Sequence, residues 1–311
     1  MPGISGDYVY SVILTLAAMH LALGLAAAGI PCMTGAGGFV TAKRSKIFQN
    51  KFGQQAGTFG FLAGTYLFLV LAAAAVSLNI RLPEVAIFWF STPLPLVPLL
   101  ASLIAGAALF LLYRGLWQKM KERKKAHAAL GLGAAVCLWF FLYCAAGAFR
   151  LFCLRLDLPD DPLLFFIPPK DSTFWPMILQ AVSLSCAMAG AFSALYLLVR
   201  RGKDDFGRDY YNYALRLTSR WALFAGVLQS LFAVWLAVSL WPSAEQTATG
   251  DGTLMVLGAA ALLELASLAL WGVTSFQTNA LRFKPMIAGA WFFSVASLAA
   301  ECIALAPFYL T

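Results

Sequence analysis

KRSKIFQNKFGQQAGTFGFLAG, residues 43–64, is a basic strip that runs straight into an apolar helix. KDDFGRDYYNYALRLTSRWALFAG, residues 203–226, does the same from a polar, charge-rich strip. Phe61-Leu62-Ala63-Gly64 and Leu223-Phe224-Ala225-Gly226 stand 162 residues apart, about half the chain, and Asn50 and Asn212 keep the same register. A period that long marks a duplicated domain, whereas solenoid repeats recur every roughly 20–50 residues. The strip is read as a loop feeding a helix, a unit used twice, with the rest of the chain arranged around it.

The chain has 311 residues, of which 61% are hydrophobic and only 12% charged. Apolar runs of about 20 residues recur, the length of helix that spans the hydrocarbon core of a bilayer. A spanning β-barrel would show alternating segments of about 10 residues instead, and none appear. The composition therefore predicts an all-α integral membrane protein. MPGISGDYVY, residues 1–10, has no basic region ahead of its apolar stretch, so the first helix is expected to stay in the mature protein. Six cysteines are scattered, mostly within apolar runs, without CxxC or CxxCH spacing. That pattern speaks against covalent haem attachment or iron–sulfur ligation and for cysteine as a small buried hydrophobe.

Eight spans are read at about 9–31, 56–79, 94–113, 127–149, 175–199, 220–241, 253–275 and 287–308. Their alternate loops, 41–55, 114–126, 200–220 and 276–286, hold four, six, six and two Lys/Arg, eighteen of the 22 in the chain. The positive-inside rule puts these loops in the cytoplasm and both termini outside, in a bacterial inner membrane. Eight acids, Asp7, Glu84, Asp157, Asp160, Asp161, Asp171, Glu245 and Asp251, fall on the opposite side. The net charge of +8 is thus a topology signal, and membrane lipid rather than nucleic acid is the expected surroundings. Four plus four spans give two four-helix bundles, residues 1–150 and 151–311. Four spans return the chain to its starting side, so the duplication is parallel, unlike the inverted repeats common in transporters.

The first span is hard to bound, because Pro31 and Gly35-Ala36-Gly37-Gly38 lie between its apolar body and Lys43. It can continue towards Val40 with a kink at Pro31 if neighbours satisfy the freed backbone groups. The outer loop 150–174 is rich in proline and acid, and Leu163-Leu164-Phe165-Phe166-Ile167 within it is too short to span. Trp89, Trp175, Trp241 and Trp291 fall near span ends, as an aromatic belt requires.

Ionisable side chains inside spans are costly and are functional candidates by default. His20, Glu264 and Glu301 qualify, with Arg150 and Arg220 at span ends. Counted at 1.5 Å per residue, His20 and Glu264 each lie about 17 Å below the outer surface. If the first helix runs to Val40, that match weakens. His20 suits an interhelical hydrogen bond, a haem axial position or a quinone oxygen. Glu264 and Glu301 must be neutral, paired or watered. His127, behind Lys124 and Lys125, reads as interfacial. No haem-spaced histidine pair, phosphate-binding loop, HExxH or nucleophile elbow is present, so no catalytic residue is assigned.

His20 in a long first helix, KFGQQAGTFGFLAGT (51–65) and PLLASLIAGAALFLLYRGLWQKMKERKKAHAALGL (98–132) resemble subunit I of cytochrome bd quinol oxidases. The resemblance implies that His20 takes the place of the family's first-helix haem ligand. The family's second-bundle haem histidine falls near Gln180, and its third-helix acid near Ala101. No counterpart of the methionine ligand or of the quinol loop is found. The resemblance thus implies a membrane subunit of a respiratory electron-transfer complex, with quinone and haem b as its cofactors. Partners would be redox subunits, a cytochrome c or an iron–sulfur protein. FWPMILQAVSLSCAMAG (174–190) and AAECIALAPFY (299–309) are also similar to the haem-free anchor subunits of the DMSO-reductase type. A transporter or a structural scaffold is the reading from a different class. His20, Glu264, Glu301, Gln180 and Arg150 are the candidate cofactor-binding residues, with His20 also the candidate metal ligand.

Overall fold

A computed structural model describes residues 3–39, 43–81, 93–120, 122–153, 166–204, 206–244 and 250–309. Eight helices follow one another: α1 (Gly3–Ala36), α2 (Lys43–Arg81), α3 (Pro93–Gly115), α4 (Lys124–Cys153), α5 (Phe174–Arg200), α6 (Arg208–Ala244), α7 (Gly250–Phe276) and α8 (Lys284–Tyr309). Short 3-10 turns at Gly37–Phe39 and Ala280–Phe283 extend α1 and precede α8. Eight spans are long and apolar enough to cross a bilayer, and the chain is a multi-pass membrane protein.

The strip that opens α2 is helical throughout, and the one before α6 keeps a short connection, with turn at Lys203, ahead of Arg208. α2 is helical from Lys43 and α6 from Arg208, so the polar residues form the first turns of each helix. The reason lies in their spacing. Tyr210, Tyr211, Ala214, Leu215, Thr218 and Ser219 are all buried, a stripe at helical period beneath the charged face. Gln49, Phe52, Gly53, Ala56 and Gly60 form the matching buried stripe of α2. Hydropathy averaged over a window sees the charges and misses the stripe. α1 runs through Pro31 as anticipated. Thr34, one turn later, donates its hydroxyl to the Ile30 carbonyl at 2.8 Å.

The chain forms two compact units, one of residues 1–26 and 183–311, the other of residues 27–182; α1 and α5 contribute to both. In the second of these, α3 packs along α4. A methyl group on Gly106 of α3 would lie 2.8 Å from the Leu138 side chain of α4. Gly35, at the end of α1, meets α4 backbone to backbone, since a Cβ on Gly131 would lie 3.1 Å from the Gly35 Cα. Small residues of this kind let helices approach where lipid gives no hydrophobic drive for association.

In the other unit α7 packs against both α6 and α8. Gly190 of α5 abuts α6, where an added Cβ would lie 2.6 Å from both the Ala222 nitrogen and the Thr218 oxygen. The start of α6 is tied to the turn before α8. Leu281 N–H donates to the Asn212 side-chain oxygen at 3.0 Å, and the Asn212 amide donates to Asn279 Oδ1 at 3.4 Å. Asn50, paired with Asn212 in the sequence register, is exposed.

Candidate functional site

Glu264 sits about midway along α7, half-buried, on the side that meets α6 and α8. From α6, the Ser230 hydroxyl donates to Glu264 Oε1 at 3.5 Å and to the Gly226 carbonyl at 2.9 Å. From α8, Ser297 and Glu301 lie within electrostatic reach of the carboxylate. Gly226 keeps the α6 surface open here, because a Cβ at that position would point at Leu268 and come within 3.6 Å of Glu264 Oε1.

One turn along, hydroxyls continue the polar track. Ser267 and Ser294 oxygens are 2.6 Å apart, so one hydroxyl donates to the other, Trp271 Nε1 donates to Ser294 at 3.2 Å, and both serine oxygens lie within 3.1 Å of the Ala290 carbonyl, which accepts the remaining proton. All three side chains are buried. A cavity of about 10 Å³ lies among Glu264, Ser267, Trp271 and Ser294. That volume, measured for water-sized probes, holds about one water. A carboxylate in this setting has hydroxyl partners and room for a water, two of the three ways a buried acid is accommodated.

The structure brings Glu264 and Glu301 within electrostatic reach of each other. His20 is half-buried on α1, with Nδ1 2.7 Å from the Leu16 carbonyl. A carbonyl only accepts, so Nδ1 carries the proton and Nε2 of the neutral ring holds the lone pair. His20 is not among the residues lining the cavity at Glu264. Gln180 is buried in α5. The Arg150 side chain, like those of Trp89 and Trp241, lies outside the described residues, as does most of 163–167.

His127 refines the sequence reading. It lies near the end of its span, as an interfacial residue does, but it is packed: its ring stacks on Tyr113 with centroids 4.3 Å apart, and Trp117 meets it edge-on at 4.7 Å. Its Nε2 donates to the Tyr113 carbonyl at 2.6 Å. A second cavity opens beside this cluster. The signal was present in the sequence as Gly35-Ala36-Gly37-Gly38, Gln49-Asn50 and Lys124 to His127, but three separate segments had to meet before it could be read as a site.

No family model and no curated protein matches the chain. A solved structure does: a chain of the bd oxidase from Geobacillus thermodenitrificans aligns with a TM-score of 0.63 over 94% of this chain and 86% of that one, at 13% identity. The shared feature is the fold. This is a bd oxidase-like fold. Within it, groups of three or more His, Cys, Asp or Glu able to hold a metal are absent among the described residues.

Proposed function

We propose that this chain is an integral membrane subunit of a respiratory electron-transfer complex. In this reading it meets quinone or quinol and works with partner redox subunits, a cytochrome c or an iron–sulfur protein. The observation that carries the reading is a bd oxidase-like fold over 94% of the chain with a polar track built around Glu264 in the membrane. The assignment extends to a bacterial inner membrane with both termini outside, an orientation that the loop charges support.

The bundles 1–150 and 151–311 belong to the same proposal. α3–α4 and α7–α8 are each a packed pair, and Lys124 and Lys284, which open α4 and α8, stand 160 residues apart against 162 for the repeat read in α2 and α6. Superposing the two halves should align α2 with α6; an inverted relation would dismiss the duplication.

A haem pair does not fit the residues present. Gln180 stands where the resemblance expects the second histidine, and an amide is a poor haem ligand. His20 is the residue that would hold a single haem b, and no step is derived through it. A quinone would supply two-electron, two-proton redox chemistry. The space at Glu264 takes a water rather than a ring, so the role assigned to Glu264 is that of proton donor and acceptor through that water. His20, away from this cavity, would hold a ring oxygen or a haem independently of Glu264.

Glu264→Gln keeps shape and hydrogen bonding and removes the exchangeable proton. In the purified complex it should lower quinone-linked electron transfer by about 100-fold or more, the low end for a general acid or base, with assembly intact. Unchanged turnover would remove Glu264 from the function. A visible spectrum of the isolated chain separates the remaining readings. Soret and α bands would place haem b at His20, and a flat spectrum would favour the haem-free anchor.

A further inference from the structure

The second cavity lies wholly within residues 27–182, where the end of α1, the first turns of α2 and the α3–α4 connection converge. It measures about 40 Å³ for water-sized probes, four times the space beside Glu264. By that measure it takes about three waters, the size class of one tetrahedral oxyanion rather than of a substituted ring.

Its lining is polar and carries a positive charge. Lys124, Gln49 and Asn50 contribute side chains that can donate, Thr34 and Tyr113 add hydroxyl oxygens, and none of the residues that line it is acidic. Lys124 is half-buried, and no carboxylate among the described residues pairs with it. Lys46 lies near enough to repel it. An ammonium held in this way, beside a like charge and without a counter-ion, favours an anion in the adjoining space.

The surrounding packing keeps the space in place. Gly37 has no side chain where the Gln49 carboxamide passes; a Cβ there would collide with it. Gly53 likewise leaves room for the Trp117 ring. Trp117, Tyr113 and His127 form an aromatic wall of mutually packed rings, in which the His127 ring is held by its hydrogen bond to the Tyr113 carbonyl. Gln49 is 5% exposed and contributes to the lining, an amide held at the cavity by the fold rather than by solvent.

We infer that this cavity is a binding site for a phosphate group. It lies at the basic end of its unit, beside Lys119, Arg123 and Lys125, where pockets between membrane helices take anionic lipid headgroups. The same chemistry would accept a soluble phosphate. Lys124 provides the charge, Gln49 and Asn50 provide amide donors, and the aromatic wall fixes the floor.

The test uses the purified full chain. In the first arm it is exchanged into vesicles of phosphatidylcholine with phosphatidylglycerol, re-extracted, and weighed by native mass spectrometry. The wild type should retain phosphatidylglycerol, and Lys124→Gln should retain about tenfold less, the loss of one charge-assisted hydrogen bond. Lys124→Arg and the exposed-neighbour control Lys125→Gln should retain wild-type amounts. In the second arm, delipidated protein is heated with inorganic phosphate; a stabilising shift present in the wild type and absent in Lys124→Gln would identify a soluble phosphate as the ligand. Gln49→Leu, which removes a donor at similar volume, should weaken whichever arm is positive and covers the case in which Lys124→Gln does not fold. Equal behaviour of wild type and both variants in both arms overturns the site. So does a Lys125→Gln loss as large as that of Lys124→Gln, because the general basic field would then account for retention.

Discussion

The α3–α4 and α7–α8 pairs solve the same problem by different means. Lipid is as apolar as leucine, so two membrane helices associate through close packing or through hydrogen bonds. α3–α4 uses close packing, with Gly106 of α3 set against Leu138 and Gly131 of α4 set against the Tyr113 ring. α7–α8 uses hydroxyls, with Ser267 and Ser294 linked at 2.6 Å and Ser297 donating to the Ala260 carbonyl at 2.9 Å. Gly258 and Gly272 of α7 have nothing within 4 Å of an added Cβ. A seam held by hydroxyls can host a carboxylate at its edge, and Glu264 sits there. A seam held by glycine has no place for one, and its polar groups collect instead at the helix ends around Lys124 and His127.

The largest test of this contrast is functional. Glu264→Gln should cost about 100-fold or more in quinone-linked turnover while α7–α8 association is unchanged. A variant that lost assembly along with turnover would show that the carboxylate is part of the seam itself.

Next in size is Gly106→Ala, which places a methyl group 2.8 Å from Leu138 Cδ2 and 3.3 Å from the Leu138 nitrogen. Overpacking of this kind should destabilise by about 1–3 kcal/mol in a detergent-unfolding titration. Gly272→Ala on α7, made in parallel, should be neutral or stabilising by up to about 1 kcal/mol. Equal effects at the two positions would erase the distinction between the pairs.

Ser294→Ala leaves Ser267 and the Trp271 N–H short of a partner and should cost about 1 kcal/mol. In a double-mutant cycle with Ser267→Ala the coupling should be about 0.6 kcal/mol, the usual worth of such contacts between membrane helices. Additive single effects would mean the hydroxyls do not hold the seam.

The smallest effect sharpens the sequence repeat. Gly64→Ala meets nothing within 4 Å and should stabilise α2 by at most about 1 kcal/mol. Its counterpart Gly226→Ala presses on Leu268, a side chain able to move, and brings a methyl near Glu264; its effect should be read in turnover rather than in stability. If the two glycines respond alike in both measurements, the halves have not diverged at this position.

The sequence by itself identified eight apolar runs of about 20 residues, and among the described residues eight helices are long and apolar enough to cross a membrane. It also singled out Glu264, since one carboxylate in such a run stands out without any neighbour being known. Helix ends were less legible. In α2 and α6 the charges hid a buried stripe that becomes visible only when the residues are placed on a helix. Tertiary structure alone decided which polar groups meet. Ser230, Glu264, Ser294 and Ser297 come from three helices, and Gly37, Gln49, Tyr113, Lys124 and His127 from four segments, so no spacing along the chain encodes either cluster. It also left His20 out of the lining of the cavity at Glu264, because packing sets the direction of a side chain and a count of residues does not.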